Sequence, residues 1–86
     1  MERFRGQLLR DGQVVFDGIE GSLSIDIGQH GNEHWYGFFT LPTGEMVKHG
    51  EWYELKLEDG RTKRVEIVRV NAGENRPTVA SFDGRD

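Results

Sequence analysis

The spacing of glycine is the feature that most constrains the fold. Twelve glycines and only two prolines divide the 86 residues into short runs. Within these runs, apolar and polar side chains alternate with a period of two, which is typical of half-buried strands. No eleven-residue window has helix-spaced apolar residues without an interrupting glycine. The sequence therefore predicts an all-β fold, a small antiparallel β-barrel or sandwich of six to eight short strands joined by hairpins, with no helix longer than one turn.

Eight segments carry the alternating pattern, and we expect strands at 3–10, 13–18, 21–27, 35–41, 45–48, 51–58, 62–70 and 77–82. A chain of 9.9 kDa can bury one modest core, so residues 1–86 are expected to form a single barrel-like domain. The chain has no cysteine, and its stability must come from packing or from a second subunit.

The register of the first hairpin follows from residue parity. The residues expected on the inner face all carry even numbers: Phe4, Gly6, Leu8, Val14 and Phe16. Because paired residues share a face, their numbers must then sum to an even value. A three-residue loop at 10–12 satisfies this rule and pairs Leu8 with Val14, whereas a two-residue Asp11-Gly12 turn does not. The same register sets Phe16 across Gly6, which would leave room for its ring.

The second hairpin obeys the same rule with a loop at 58–60. This register pairs Tyr53 with Val65 on the inner face and Glu54 with Arg64 on the outer face. The apolar parity then changes between Ile67 and Val68. We expect a β-bulge there, because barrels use bulges to turn corners.

Aromatic residues occur as adjacent pairs, namely Trp35-Tyr36, Phe38-Phe39 and Trp52-Tyr53. Neighbouring strand residues point to opposite faces, so only one of each pair can enter the core. With Trp35, Gly37, Phe39 and Leu41 inside, the outward set is Tyr36, Phe38 and Trp52. These three residues are the predicted binding residues of an exposed aromatic patch, unless a loop or a terminus covers them.

The partner of such a patch is expected to be a protein, including a second copy of the chain, so the sequence favours a homodimer or a subunit of a larger assembly. Residues 17–59 hold nine acidic and two basic side chains, which argues against nucleic acid. Aromatic side chains beside acidic ones also suit a sugar. No apolar run approaches the length of a membrane span, and no signal-peptide pattern opens the chain, so no membrane partner is expected and a cytoplasmic location is predicted.

His30-Gly31-Asn32-Glu33-His34 matches the order H-x-x-E-H of inverted zinc peptidases. That chemistry needs both histidines on one helix, and the surrounding glycines favour a turn. A loop-borne metal or small-ligand site using His30, Glu33 and His34, with His49 as a further metal donor and sugar among the possible ligands, remains the alternative to a protein-binding module. Serine-nucleophile and phosphate-loop motifs are absent from the sequence. We therefore predict no catalytic residue and no cofactor, and a non-enzymatic function.

The string from Tyr53 to Arg61, followed by Val65 and Ile67, resembles the hairpin of small bacterial barrels, the PilZ type among them. The resemblance covers less than a quarter of the chain. PilZ domains that bind cyclic dinucleotide also have an arginine-rich N-terminal stretch and a D/N-x-S-x-x-G string. Here only Arg3, Arg5 and Arg10 correspond, and the second motif is missing, so the resemblance implies no such ligand.

Overall fold

The computed structural model describes residues 1–85, and six antiparallel strands within them close into a barrel. The strands are β1 (Glu2–Arg10), β2 (Gln13–Ile27), β3 (Glu33–Leu41), β4 (Trp52–Leu57), β5 (Thr62–Gly73) and β6 (Arg76–Gly84). Their order around the barrel is β1-β2-β3-β6-β5-β4, and β4 pairs with β1 to close it. The all-β prediction is confirmed, with the barrel chosen over the sandwich, and the described part of the chain contains no helix.

The core lies inside the barrel and follows the predicted alternation. Trp35, Phe39 and Leu41 of β3 are buried, and so are Tyr53, Leu55 and Leu57 of β4. The remaining buried apolar side chains are Phe4, Leu8, Ile19, Leu23, Val47, Val65, Ile67, Ala80 and Phe82. Phe82 packs against two other rings, edge-on to Phe4 and stacked on Phe39.

The predicted register of the first hairpin is wrong. Arg10 pairs with Gln13, so Asp11 and Gly12 form the tight two-residue turn, with φ values of 52° and 77°. Two bulges then shift the register: Leu9 pairs with Val14 and Leu8 with Phe16, and Gly6 pairs with Ile19. The parity rule for residue numbers fails here because each bulge adds one residue to β2. Val14 therefore does not reach the inner face and is half exposed.

The second hairpin confirms its prediction. Tyr53 pairs with Val65 and Glu54 with Arg64, and the chain turns at residues 58–60. The predicted bulge is also present. Ile67 pairs with Phe82 and Arg69 pairs with Ser81, which leaves Val68 as the extra residue.

Two of the predicted strands are not separate elements. Segments 13–18 and 21–27 belong to one long strand, β2, which bends at Gly18 (φ 65°) and continues.

A third predicted strand, segment 45–48, is not a strand. It is part of the connection 42–51, which runs from the end of β3 to the start of β4. Val47 from this connection is buried, so apolar character here reflects burial in the core and not strand pairing.

Several glycines, among them Gly6, Gly21 and Gly37, lie where neighbouring strands approach too closely for a side chain. A Cβ atom on Gly6 would collide with the carbonyl oxygen of Lys56, and one on Gly21 or Gly37 would collide with the carbonyl of Phe38 or Ser22. The explanation of Gly6 as space for the Phe16 ring is therefore wrong, because the crowding comes from the backbone of β4. Glycines at such positions let strands bend sharply enough to close a small barrel.

Gly21→Ala is expected to destabilise the barrel by about 1–3 kcal/mol, because rigid backbone and not a movable side chain blocks the new methyl group. The matched control is Gly73→Ala, where the obstruction is the flexible side chain of Arg76. Thermal unfolding should show a melting temperature reduced by about 4–8 °C for each kcal/mol lost in Gly21→Ala. Equal reductions in both variants would contradict the close-approach explanation.

The connection 42–51 is anchored by one carboxylate. Glu51 accepts hydrogen bonds from the Lys48 N–H (2.9 Å), the Tyr53 hydroxyl (3.1 Å) and the Arg10 guanidinium (2.6 Å). Burial raises the pKa of Glu51, but the three donors lower it by more, so its pKa lies below the usual value of 4.5. Thr78 adds a second anchor by donating its hydroxyl proton to the Glu45 carbonyl (2.8 Å).

We expect Glu51→Gln to unfold at lower urea concentration than the unchanged protein at pH 7. A carboxyl group with a lowered folded-state pKa contributes stability above its unfolded pKa and loses it as the pH falls through the folded value. The difference between the two proteins should therefore shrink from pH 5 towards pH 3. Glu74→Gln, at an exposed turn, is the control. Parallel pH profiles for the unchanged protein and Glu51→Gln would show that Glu51 is not the anchor.

Candidate functional site: the outer face around Phe38

Tyr36 and Phe38 lie side by side on the outer face of β3. The inward positions of Trp35, Gly37 and Phe39 force these two rings outward, as the alternation predicts. Each ring residue keeps 37 % of its surface exposed. Residues two apart on a strand are about 7 Å apart, so the two rings lie near each other on one face of β3.

Short side chains border both rings. Phe38 pairs with Ser22 on β2 and with Ser81 on β6, while Tyr36 pairs with Ser24 and Asp83. Serine is too small to cover an aromatic ring on the adjacent strand. The rings are therefore left accessible by the residues beside them and are not shielded by a loop.

Arginines extend the line of residues through Phe38 on both sides. Arg3 of β1 pairs with Ser22, and Arg69 of β5 pairs with Ser81. We call the resulting line across five strands the Phe38 row; it consists of Arg3, Ser22, Phe38, Ser81 and Arg69. Strands are about 4.8 Å apart, so each arginine starts about 10 Å from Phe38 along the sheet.

A shallow depression of about 630 Å³ lies beside Phe38 at the β1 end of this row. It is open to solvent, and Arg3, Arg5, Ser22, Phe38 and Thr40 are among the residues that line it. Arg5 approaches Glu58 at 3.7 Å, and both side chains are largely exposed, so this contact holds Arg5 only weakly. The depression therefore offers an aromatic wall, hydroxyl groups, two exposed arginines and the carboxylate of Glu20.

The Tyr36 end of the face is fixed by a polar cluster. The His34 ring lies 5.1 Å from the Tyr36 ring, and His34 Nε2 is 2.5 Å from Asp83 Oδ1. Arg85 approaches the same carboxylate at 3.6 Å. The Tyr36 ring therefore lies against a histidine that is itself held by Asp83.

Trp52, the third residue of the predicted aromatic patch, lies away from the other two. It is on β4, three places from β3 in either direction around the six-stranded ring. Asp83 and Glu66 separate it from Tyr36 along the strand ladder. The Arg64 guanidinium lies 4.9 Å from the centre of the Trp52 ring. The structure thus brings Tyr36 and Phe38 together and leaves Trp52, 43 % exposed, on the opposite wall.

The candidate metal ligands are not brought together either. His30 lies in the exposed turn at 28–32, and His34 is paired with Asp83. Glu33 accepts a hydrogen bond from the indole N–H of Trp35 at 2.8 Å, on the other side of β3 from His34. Across residues 1–85, no three histidine, aspartate or glutamate side chains are grouped so that they could hold a metal ion.

Sequence reasoning missed Arg3, Ser22, Ser81 and Arg69 as members of the face. Their outward direction could have been found from the alternation in each strand. Their meeting at Phe38 could not, because it depends on β3 lying between β2 and β6. The strand order also changes the interpretation of charge, since the acidic segment 17–59 contributes only Ser22 and Phe38 to the row.

No protein-family model, curated protein or solved structure matches this chain. A membrane-spanning helix is likewise not found anywhere between residues 1 and 85.

We expect zinc and EDTA to leave the melting temperature unchanged. An ion that bound the folded state would raise the melting temperature. The described residues offer no set of converging ligands. The measurement is a thermal unfolding series with zinc chloride, nickel chloride and EDTA, with His30→Ala as the control variant. An increase with zinc that disappears in His30→Ala would restore the metal-binding hypothesis.

Proposed function

We propose that this protein is a non-enzymatic binding module that holds a partner protein against the outer face around Phe38. The observation that carries the proposal is the pair of partly exposed rings, Tyr36 and Phe38, on a strand that is hydrogen-bonded on both sides. A solvent-accessible aromatic pair on a rigid surface is the kind of feature around which protein interfaces are built.

The energetics favour a partner at this face. A fully buried aromatic side chain removes about 150–250 Å² from water, and about a third of that remains exposed at each ring. At about 25 cal/mol per Å², covering both rings would contribute roughly 2–4 kcal/mol before the cost of association. Two rings alone therefore support weak binding, and the polar groups of the Phe38 row must add to it.

The interior supports a non-enzymatic role. Apolar side chains fill the barrel, and no buried side-chain nitrogen or oxygen in the range 1–85 lacks a hydrogen-bond partner. Catalytic sites commonly hold unsatisfied or strained polar groups in a cleft. The depressions on this surface are open and shallow.

A location in the cytoplasm stays a prediction from the sequence.

Phe38→Ser is expected to abolish partner binding without unfolding the barrel, because the ring faces outward between two serines. Trp52→Ala is the matched control, since it removes an exposed ring from the opposite wall. Affinity purification of each variant from the native host, with quantitative mass spectrometry, should identify proteins retained by the unchanged chain and by Trp52→Ala but lost from Phe38→Ser. Each such protein is then purified and its affinity measured directly.

Loss of the same proteins from both variants, or from neither, would overturn the proposal. Circular dichroism and thermal unfolding must first show that Phe38→Ser folds like the unchanged protein. If it does not, Phe38→Gln provides the same test with a side chain of more similar volume.

A further inference from the structure

We infer that the partner is a protein segment that presents an apolar side chain flanked on both sides by carboxylates. This inference rests on the proposed function and specifies the chemistry of what binds. It depends on the two ends of the Phe38 row, where arginine occurs on both sides of the aromatic centre.

The two flanking cations are available for binding. Arg3 and Arg69 are both exposed, and neither forms an ion pair with any residue between 1 and 85. Arg5 lies two residues further along β1, and its guanidinium approaches the Glu58 carboxylate at 3.7 Å. A guanidinium group binds a carboxylate through two parallel hydrogen bonds, so each flank suits an acidic side chain.

Symmetry argues against two simple homodimers centred on this face. In a two-fold dimer, the same patch meets itself. An axis along the strands places Arg3 opposite the Arg69 of the other copy, and an axis along the row places each arginine opposite its own equivalent. Both arrangements bring like charges together around the two rings, which opposes association. A second copy would need an oblique axis that sets the two arginines against Glu20 and Asp83, and sedimentation equilibrium tests for it.

The charge of the whole chain argues against nucleic acid as the occupant. The formal net charge is −4, and only Arg3, Arg5 and Arg69 are placed to contact phosphates at this face. Affinity for nucleic acid rises with the number of phosphates neutralised, and three contacts contribute little at physiological salt. A protein segment with two or three carboxylates needs no more cations than the face provides.

The test is selection from a random twelve-residue peptide library displayed on phage, using the immobilised full chain, with depletion against Phe38→Ser. We expect selected peptides to carry an aromatic or aliphatic residue flanked by aspartate or glutamate. Synthetic peptides are then measured by fluorescence anisotropy. Arg3→Glu/Arg69→Glu should weaken their binding about tenfold or more, and selection on that variant should enrich lysine and arginine at the flanks.

The matched control is Lys56→Glu/Arg76→Glu, which changes net charge equally at exposed positions outside the row. It should bind the selected peptides as the unchanged chain does. Sedimentation equilibrium should show a monomer, and a fluorescent twenty-nucleotide oligothymidine should not bind at physiological salt.

The outcomes separate the two proposals. Peptides that depend on Phe38 but lack flanking carboxylates, or that bind both charge variants equally, would overturn this inference and leave the proposed function standing. A dimer disrupted by Phe38→Ser, or oligothymidine binding lost in Arg3→Glu/Arg69→Glu, would overturn it in favour of that occupant. A selection that yields no Phe38-dependent peptide would count against both.

Discussion

Close backbone contact between β2 and β3 is the constraint on which the candidate face depends. Gly21 lies against the carbonyl of Phe38, and Gly37 lies against the carbonyl of Ser22. The two glycines thus flank the Ser22–Phe38 pair from the inside of the barrel. Because neither carries a side chain, the two strands can approach closely and bend around the core at this point. Phe38 lies between these two inward positions, so alternation along β3 points its ring outward where the strands are in closest contact.

Alternation predicted the direction of side chains wherever a strand is regular. It placed Trp35, Phe39 and Leu41 in the core and Tyr36 and Phe38 outside, and it located the bulge at Val68. It failed in the first hairpin, where the chain adopts the two-residue turn that parity had rejected and two bulges then shift the register along β2. The Asp11-Gly12 turn was the better guide there, since both residues adopt the positive φ values that such a turn requires.

The order of strands around the barrel could not be predicted, and that order decides which outward residues meet. Trp52 points outward as Phe38 does, but it lies on the opposite wall of the barrel. Arg3 and Arg69 belong to distant parts of the sequence, yet both lie two strands from the same ring. Charge counted along the chain was misleading for the same reason. The acidic middle segment supplies a serine and an aromatic ring to the row, and the cations come from strands on either side.

The pairing of β1 with β4 also governs how the chain reaches its native state. Gly6 pairs with Leu57 and Leu8 with Leu55, so the ladder that closes the barrel joins residues about fifty positions apart. The β2–β3 and β4–β5 hairpins need only short loops to form, whereas this seam requires a long loop to lose its conformational freedom first. Until it forms, β1 and β4 each expose an unpaired edge beside a row of leucines. The β3–β6 ladder also joins distant residues, from Leu41 with Thr78 to Trp35 with Gly84. We therefore expect closure of these two nonlocal seams to limit the folding rate, and the chain to be most prone to aggregate before they close.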